Sequence, residues 1–289
     1  MSISGQNLTI IIVTLKSEKI IDQCIKSINK DVPIIVVENS DDQGFKNKLE
    51  SKYKNLKCIL AKSNLGMGAG NNIGIREAKT DFVLILNPDV ILESNTLDEL
   101  FLASSQLSDF SILAPQEAKI PNYGIINKDT FIESKQTPFK VHWVDGFAML
   151  LNKKKIKEET YFDENFFMYL ENNDLCYRIK KKGGLIFVVP KAKVNHLSAQ
   201  TVDSEFSEEI EFSRNWHWIW SKFYYNKKHY SIFKAIKECV PTYLSSILKF
   251  IFYLLINNKI KKKVYFNRAS GFFNAFIGKS SWYRPNLND

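Results

Sequence analysis

Blocks of apolar and polar residues alternate along the first two-thirds of the chain, and they predict a sheet of parallel strands with helices between them. Residues 8–14 are a continuous apolar run rich in β-branched side chains, residues 20–28 carry apolar side chains at helical spacing, and residues 34–37 form a second apolar run. Unbroken apolar runs are typical of strands that are buried on both faces. These blocks predict one βαβ unit, and further strands are expected at residues 57–61 and 82–86.

The later part of this region is less regular, so its prediction is coarser. We expect helices at residues 45–53, 96–104 and 171–182, and strands at residues 111–114, 143–151 and 185–189. From residue 208 onward the apolar spacing is helical. The pattern therefore predicts an α/β domain over residues 1–205 and a helical region over residues 206–289.

Charge is distributed unevenly between these two regions. The chain carries 40 Lys and Arg against 31 acids, a net charge of +9. Residues 213–289 contain fourteen basic and two acidic residues, which is +12, and this leaves −3 for residues 1–212. The same 77 residues hold nineteen of the chain's aromatic side chains. Basic and aromatic residues in alternation suit an anionic membrane surface, so we expect the helical region to bind one.

The hydrophobic stretch at residues 240–256 is the one candidate for a membrane span in the sequence. It contains Lys249 and begins beside Pro241. A span needs about 20 apolar residues, and a central lysine costs about 2.5–3.5 kcal/mol on insertion scales. The sequence therefore favours a helix that lies in the membrane interface or packs on its own domain, and it leaves these two alternatives open.

The compartment is predicted from the cysteines and the amino terminus. The four cysteines are too widely spaced for a CxxC pair, so we expect reduced, mostly buried thiols. The apolar run at residues 8–15 is short and has no basic residue before it, which is atypical of a signal sequence. We therefore expect a cytoplasmic protein, peripheral at the inner face of the plasma membrane.

Candidate chemistry begins with Asp89, in the sequence Asn87-Pro88-Asp89 after the apolar run at residues 82–86. A carboxylate at the carboxyl end of a buried strand lies at the edge of the sheet where α/β proteins bind ligands, so we expect Asp89 to be exposed. Mg²⁺ and Mn²⁺ bind one or two carboxylates together with phosphate oxygens. A turn that simply ends the strand explains the motif equally well.

Two further motifs follow neighbouring strands. Glu38 comes directly after residues 34–37 and could accept hydrogen bonds from a ribose or a base, although an acidic turn that caps the next helix is an equal alternative. The glycine-rich stretch at residues 64–74 has Asn71 where a dinucleotide fingerprint needs glycine, so we reject that interpretation. Its small residues could admit an anion or a sugar, or could serve close packing of a helix on the sheet.

Carboxylates suited to proton transfer lie further along. Glu171 and Asp174 are three residues apart at a predicted helix start, so they face the same side. Arg178 lies one turn beyond Asp174 and could pair with it, and Glu171 could simply cap the helix. His196 follows the last predicted strand as a lone histidine, which is more often structural than a metal ligand.

Taken together, these segments resemble the inverting family-2 glycosyltransferases, which have a GT-A fold, and are most similar to the rhamnosyltransferase-like branch. The resemblance covers about residues 8–198, and the tail at residues 278–285 also resembles tails in this group. It is carried by Thr14, Glu38-Asn39-Ser40, Asn64-Leu65-Gly66 through Asn72-Ile73-Gly74, Leu86-Asn87-Pro88-Asp89, Asp145-Gly146, Phe162-Asp163-Glu164, Phe166-Phe167-Met168-Tyr169, Glu171 through Arg178, Pro190 and His196.

The resemblance implies a Rossmann-like mixed sheet flanked by helices and the transfer of a sugar, such as rhamnose, from a dTDP- or UDP-linked donor. The implied acceptor is a saccharide, most simply a lipid-linked one, in cell-surface polysaccharide synthesis. The implied cofactor is Mg²⁺ or Mn²⁺, held by Asp89 and His196, with Asn87 in place of a first acid. The implied donor contacts are Thr14, Glu38, Asn64, Gly66, Asn71, Asn72, Asn87 and Asp89, and Asp145 and Gly146 are implied on the acceptor side.

Two departures from the family pattern matter for mechanism. The family usually has Asp where this chain has Glu38, one methylene longer. Many relatives have Asp as general base at the position of Asn172, and an amide cannot accept a proton at neutral pH. Our hypothesis is that Glu171 or Asp174 replaces this base, with Glu171 preferred.

Three other classes of protein are alternatives to this interpretation. A catalytically silent GT-A-like module that binds a nucleotide sugar or glycan is compatible with Asn172. A nucleotidyltransferase would show a basic glycine-rich loop after its first strand, which residues 15–18 lack. Nucleic-acid binding is suggested by carboxyl-terminal charge alone, and we expect none. The resemblance also implies that sugar-contacting residues lie in loops such as residues 115–141.

Overall fold

The computed structural model describes residues 6–28, 31–117, 121–125, 136–156, 160–197 and 204–287. The chain divides into two compact units. The first comprises Met1–Asp163 and Asn172–Val202, and the second comprises Glu164–Glu171 and Asp203–Asp289. The predicted α/β domain, residues 1–205, includes residues 164–171. The contacts assign this short segment to the helical unit instead.

In the first unit, ten strands within the described residues form one mixed sheet. The strands are β1 Leu8–Thr14, β2 Ile34–Glu38, β3 Leu56–Leu60, β4 Phe82–Leu86, β5 Val90–Leu92, β6 Phe110–Glu117, β7 Tyr123–Ile125, β8 Phe139–Val144, β9 Ala148–Asn152 and β10 Leu185–His196. The helices of this unit are α1 Ile21–Lys26, α2 Gln43–Lys52, α3 Met67–Glu77, α4 Thr96–Gln106 and α5 Glu171–Lys181, the last beginning at the junction of the two units.

The sheet has the strand order β3-β2-β1-β4-β9-β6-β10-β8-β7, with β5 paired to β10. Strands β1 to β4 pair in parallel with their neighbours among themselves, whereas β9 runs antiparallel between β4 and β6. Every residue of β1, β2 and β4 is buried, which explains their unbroken apolar runs. The predicted mixed sheet flanked by helices is confirmed.

Two predicted strand boundaries are wrong. Residues 143–151 are two strands, β8 and β9, because β8 pairs with β7 and β10 whereas β9 pairs with β4 and β6. The chain therefore turns at residues 145–147. Strand β10 continues past Pro190, where a shift in its register against β6 accommodates a residue without an N–H. His196 is therefore the last residue of the strand and not part of a following loop.

Helix α3 packs closely on β1, and this packing explains two of its glycines. A Cβ atom on Gly70 would lie 2.8 Å from Val13 Cγ1, and one on Gly74 would lie 2.4 Å from Ile11 Cγ2. Real Cβ atoms do not approach other carbons so closely. Of the two explanations left open for the glycine-rich stretch, helix–sheet packing accounts for these positions.

The second unit contains three long helices, α6 Ser207–His229, α7 Ile232–Leu255 and α8 Lys259–Phe276. Its core is formed by apolar residues from all three helices, namely Trp216, Ile219, Trp220, Phe223, Ala235, Cys239, Phe272 and Ala275. The four cysteines of the chain are free and buried, as expected of buried thiols.

Candidate active site

Asp89 and His196 meet at the end of strand β4. The chain leaves β4 through Asn87-Pro88-Asp89 and enters β5, which pairs antiparallel with β10 so that Val90 lies opposite His196. The backbone N–H of Leu197 donates to the Asp89 carbonyl over 2.9 Å. As a result, His196 Nε2 lies 3.4 Å from Asp89 Oδ2. The sheet thus joins two residues that are 107 positions apart in the sequence.

The expectation that Asp89 is exposed is wrong, because only 1% of the residue is accessible. The residues that follow Asp89 form β5, which pairs with β10. The sequence pattern did not reveal this pairing, because β5 was not predicted. The carboxylate nevertheless lies beside a polar group, because its Oδ2 atom is 3.4 Å from the His196 imidazole. Asp89 is therefore a buried acid at the edge of the sheet, beside a partly exposed histidine.

Two further acids, Glu117 and Asp145, act on His196. Burial lowers the pKa of His196, but the hydrogen bond to Asp89 and the charges of Asp89, Glu117 and Asp145 outweigh it and raise that pKa. Burial raises the pKa of Asp145, although the charge of His196 opposes this. The Phe147 ring stacks on the imidazole, with 4.3 Å between centroids. Neither Glu117 nor Phe147 was among the predicted site residues. Glu117 could have been found from the sequence, because it is a carboxylate at the end of the apolar run that forms β6.

The side chains at the end of β4 fit a hard divalent cation with few protein ligands. Among the residues that the structure describes, no three His, Cys, Asp or Glu side chains converge as a complete metal site. The Oδ1 atom of Asn87 is buried without a hydrogen-bond partner in the described part of the chain, so it is an oxygen suited to a cation. One carboxylate and one amide oxygen leave the other ligand positions to phosphate oxygens and water, as Mg²⁺ commonly requires.

Glu38 and Thr14, implied as donor contacts, are engaged inside the protein. The Glu38 carboxylate accepts hydrogen bonds from the backbone N–H groups of Ser40 and Asp42, both at 2.8 Å, and from the Ser40 hydroxyl. Thr14 is buried, with its hydroxyl 3.5 Å from the Val37 carbonyl. The Glu38 side chain therefore shapes the turn after β2, and the implied donor contacts of Glu38 and Thr14 stay predictions.

The asparagines around α3 have different roles. Asn64 Oδ1 accepts from Gly66 N–H over 3.1 Å, which forms the turn before the helix, and Gly66 has a φ of 82°. The Asn72 amide donates to the Phe162 carbonyl and accepts from the Phe162 N–H, so it joins two chain segments and the expectation of a donor contact is corrected. Asn71 Oδ1 is buried and lacks a partner among the described residues, so Asn71 remains a candidate ligand contact.

Asn172 has a defined structural role at the start of α5. Its Nδ2 atom donates to the Val144 carbonyl over 2.7 Å. Gly146 lies beside it, since a Cβ atom on Gly146 would be 3.3 Å from Asn172 Cβ. A carbonyl partner requires a donor, so Asn172 suits this position whereas an ionised Asp would not.

Asp174 is excluded as a base by its surroundings, which corrects one of the two alternatives above. Its side chain is fully buried and pairs with Arg178, whose Nε lies 2.8 Å from Asp174 Oδ2. Arg178 also donates to the Tyr161 carbonyl. A carboxylate held in this way inside the protein cannot reach an acceptor hydroxyl, and the pair instead ties α5 to the preceding chain.

Glu171, the first residue of α5, belongs to the second unit. Its Oε2 atom is buried and has no hydrogen-bond partner in the described residues. Burial raises the pKa of Glu171 to about 7, while a hydrogen bond to its own backbone N–H has the opposite, smaller effect. A carboxyl group with a pKa near neutrality is suited to take up and release a proton.

The fold defines the class of the protein. The structure superposes on that of GalNAc-T7 with UDP, GalNAc and Mn²⁺, with a TM-score of 0.55 and 16% identity over 66% of this chain and 43% of that one. It also superposes on Staphylococcus aureus TarS, with a TM-score of 0.51 and 17% identity over 98% of this chain and 94% of that one. At this level of identity the comparison shows the fold alone, and that fold is GT-A.

The family is shown by sequence. Residues 9–171 match Glycosyl transferase family 2, and this chain belongs to that family. It is 29% identical to rhamnosyltransferase WbbL of Escherichia coli over 72% of this chain and 88% of that protein. It is 26% identical to the low-salt glycan biosynthesis hexosyltransferase Agl10 of Haloferax volcanii over 72% and 69% of the two chains. The N-acetylglucosaminyl-diphospho-decaprenol L-rhamnosyltransferase of Mycobacterium tuberculosis is 23% identical over 60% and 68%.

Proposed function

We propose that this protein transfers a sugar from a dTDP- or UDP-linked donor to a lipid-linked saccharide, with inversion at the anomeric carbon. The observation that carries the proposal is the Asp89–His196 pair at the end of a buried parallel strand, within a chain of family 2. The name of one relative specifies an acceptor joined to a lipid through a diphosphate. Family membership favours an enzyme over a silent binding module.

Asp89 and Asn87 would hold a divalent cation on the donor side. When bound, such an ion neutralises charge that develops on the departing diphosphate. His196 orients the Asp89 carboxylate, and its imidazole lies close enough to serve as a further ligand or as a donor to a phosphate oxygen. We expect Mn²⁺ with dTDP or UDP to raise the melting temperature of the wild type and not that of Asp89→Asn. Equal stabilisation of both proteins would remove Asp89 from the site.

Glu171 is the proposed general base. The acceptor hydroxyl loses its proton as it attacks the anomeric carbon from the face opposite the diphosphate, so one carboxylate on the acceptor side suffices. Asn172 cannot take this proton, and Asp174 is buried against Arg178. Glu171 is therefore the acid of this segment with both a suitable pKa and an oxygen left without a hydrogen bond among the described residues.

The test is Glu171→Gln, which keeps the shape of the side chain and removes the base. With dTDP-rhamnose or a UDP-hexose and a synthetic N-acetylglucosaminyl-diphospho-lipid, we expect transfer to fall by about 10²- to 10⁴-fold. Binding of dTDP or UDP, measured by calorimetry, should not change. Glu208→Gln, an exposed glutamate of the same unit, is the matched control. Unchanged turnover in Glu171→Gln would exclude this role.

The helical unit is proposed to bind an anionic membrane. Among the described residues, α7 is the one helix long and apolar enough to cross a bilayer by length and composition, with a mean hydropathy of 1.3 over its best window. Only 11% of that window is buried, and its outer face is rich in exposed large apolar residues. These are Phe233, Leu244, Leu248, Ile251, Phe252, Leu254 and Leu255.

An interfacial position suits α7 better than a span. Ala235 and Cys239 of this helix are fully buried in the core of the unit, so one face of α7 is already packed. Lys249 lies within the apolar part, its ammonium 5.2 Å from the centre of the Tyr265 ring. A helix with one packed face and one apolar face, flanked by lysines, is suited to lie in the headgroup region. The cytoplasmic side of that membrane stays a prediction from the sequence.

A double substitution tests the membrane proposal. Leu248 and Leu255 are 69% and 79% exposed, so replacing both with Glu should not disturb the core. We expect the variant to lose flotation with vesicles that contain phosphatidylglycerol. Leu102→Glu alters a leucine of α4 that is 52% exposed and should float like the wild type. Flotation of the double variant at wild-type levels would refute the assignment of this face.

A further inference from the structure

The chain that leads into Glu171 is held by the helical unit. Residues Glu164–Glu171 form one compact unit with Asp203–Asp289, although the residues on either side of the segment belong to the α/β unit. Just before Glu171, Tyr169 and Leu170 have φ values of 70° and 67°. Two consecutive side-chain-bearing residues in the left-handed region are unfavourable, and such a turn persists where surrounding contacts hold it.

Helix α6 supplies the contacts that hold this turn from one side. The Ser221 hydroxyl donates to the Met168 carbonyl over 2.7 Å. The ring of Trp218 meets that of Tyr169 edge to face, with centroids 5.4 Å apart. Because both contacts fall within three residues of Glu171, a small shift of either one displaces the carboxylate.

The carboxyl-terminal tail contributes a second set of contacts through Phe167. The guanidinium of Arg284 lies 3.8 Å from the centre of the Phe167 ring. The His217 ring lies 4.6 Å from the same ring, centroid to centroid. Phe167 itself is almost fully buried. The aromatic side chain is therefore held between a helix and the tail, two residues before the left-handed turn begins.

His217 fixes the tail on α6. Burial, with a smaller contribution from the charge of Arg284, lowers the pKa of His217 to about 3, so the ring is neutral. Its Nε2 lies 2.8 Å from the Tyr283 carbonyl and must donate to it, because that oxygen can only accept. Nδ1 is then the acceptor for the Ser281 hydroxyl at 3.2 Å. The two bonds hold residues 281–283, next to Arg284.

We propose that α6 and the carboxyl-terminal tail together position the Glu171 carboxylate, with Ser221 and Arg284 as the positioning residues. The proposal rests on the function of Glu171 proposed above. It gives the helical unit a part in catalysis that is separate from membrane binding. It also explains why a segment inserted in the α/β unit packs with the carboxyl-terminal helices.

Loosening the turn has a measurable consequence at Glu171. Water that reaches the carboxyl group would move its pKa from about 7 toward the ordinary value of 4.5. Burial raises the pKa of Tyr169, the charge of Arg214 lowers that pKa, and the charges of Glu211 and Glu171 raise it. These groups lie in the same unit, so a change in the turn should be detected by Tyr169 as well.

The test compares two serines of α6. Ser221→Ala removes the bond to Met168, whereas Ser213→Ala alters an equally buried serine whose hydroxyl has no partner among the described residues. For Ser221→Ala we expect kcat to fall by about 10- to 100-fold with an unchanged KM for dTDP-rhamnose or UDP-hexose. We also expect the acid limb of its kcat profile to move to lower pH. Ser213→Ala should match the wild type.

Two further measurements keep the proposal falsifiable. The Glu171 carboxyl can be titrated by ¹³C NMR and assigned by its absence from Glu171→Gln, which requires no substrate. If Ser221→Ala does not fold, Arg284→Lys is measured in its place. This variant keeps the charge and loses the planar stack on Phe167. Wild-type kcat and carboxyl titration in the positioning variants would overturn this inference while leaving Glu171 as base. Full activity of Glu171→Gln would overturn both.

Discussion

Placing an aspartate at position 172 is expected to destabilise the folded protein and not to raise its transfer rate. Asn172 is 8% exposed, and its Nδ2 atom donates to the Val144 carbonyl over 2.7 Å. Asn172→Asp keeps the shape of the side chain but replaces this donor with an oxygen. An ionised carboxylate would then face a carbonyl oxygen at hydrogen-bonding distance inside the protein, so the folded state should keep this carboxyl protonated.

The size of the effect follows from proton linkage. The loss of one hydrogen bond costs about 0.5–1.5 kcal/mol, but a protonated Asp can still donate to Val144. Below pH about 4 the variant should therefore be nearly as stable as the wild type. As the pH rises, the unfolded chain releases the proton and the folded protein retains it, so the variant loses about 1.4 kcal/mol per pH unit above about 3.9. The penalty reaches about 4 kcal/mol at pH 7 if the folded-state pKa lies above 7.

Urea unfolding of the wild type and Asn172→Asp at several pH values between 4 and 7 measures this dependence. Asn172→Ala is the control, since it also loses the bond to Val144 but adds no titratable group. We expect the difference in unfolding free energy to grow with pH for Asn172→Asp and to stay constant for Asn172→Ala. A difference independent of pH, or faster transfer by Asn172→Asp, would refute our account of this position.

Three further predictions concern stability and pH. Asp174→Asn should lower the unfolding free energy by about 3–5 kcal/mol because it removes the carboxylate charge that pairs with Arg178, and a variant of normal stability without activity would restore Asp174 as a base. Gly74→Ala should cost about 1–3 kcal/mol through contact with Ile11, as measured by thermal unfolding. The transfer rate of the wild type should fall about tenfold per pH unit below about 7, where Glu171 becomes protonated, and a rate that is flat from pH 5 to 8 would contradict this.

Much of the α/β unit could be predicted from local pattern. Strands β1, β2 and β4 are apolar runs because they are buried on both faces, so their neighbours did not have to be known. The motifs at their carboxyl ends were located for the same reason, since parallel strands end at one edge of the sheet. The chemistry of residue 172 was also readable, because an amide cannot act as a base in any fold.

The roles of individual side chains at that edge depended on contacts that the sequence pattern does not contain. Asp89 is almost fully buried, and the strand after it, residues 90–92, pairs with residues 194–196. Glu38 turns back onto its own loop. Asp174 is the partial exception, since Arg178 one helical turn away was visible as a partner from the start.

By itself, the sequence determined which segments could be strands and helices and which side chains could carry charge, accept a proton or bind a cation. The tertiary structure alone decided which of those side chains are accessible, which are already paired, and that residues 164–171 join the carboxyl-terminal helices. The physical reason is that hydrophobic periodicity reports only whether each residue along the chain prefers water or the protein core. The availability of a polar group depends instead on partners brought beside it from distant parts of the chain.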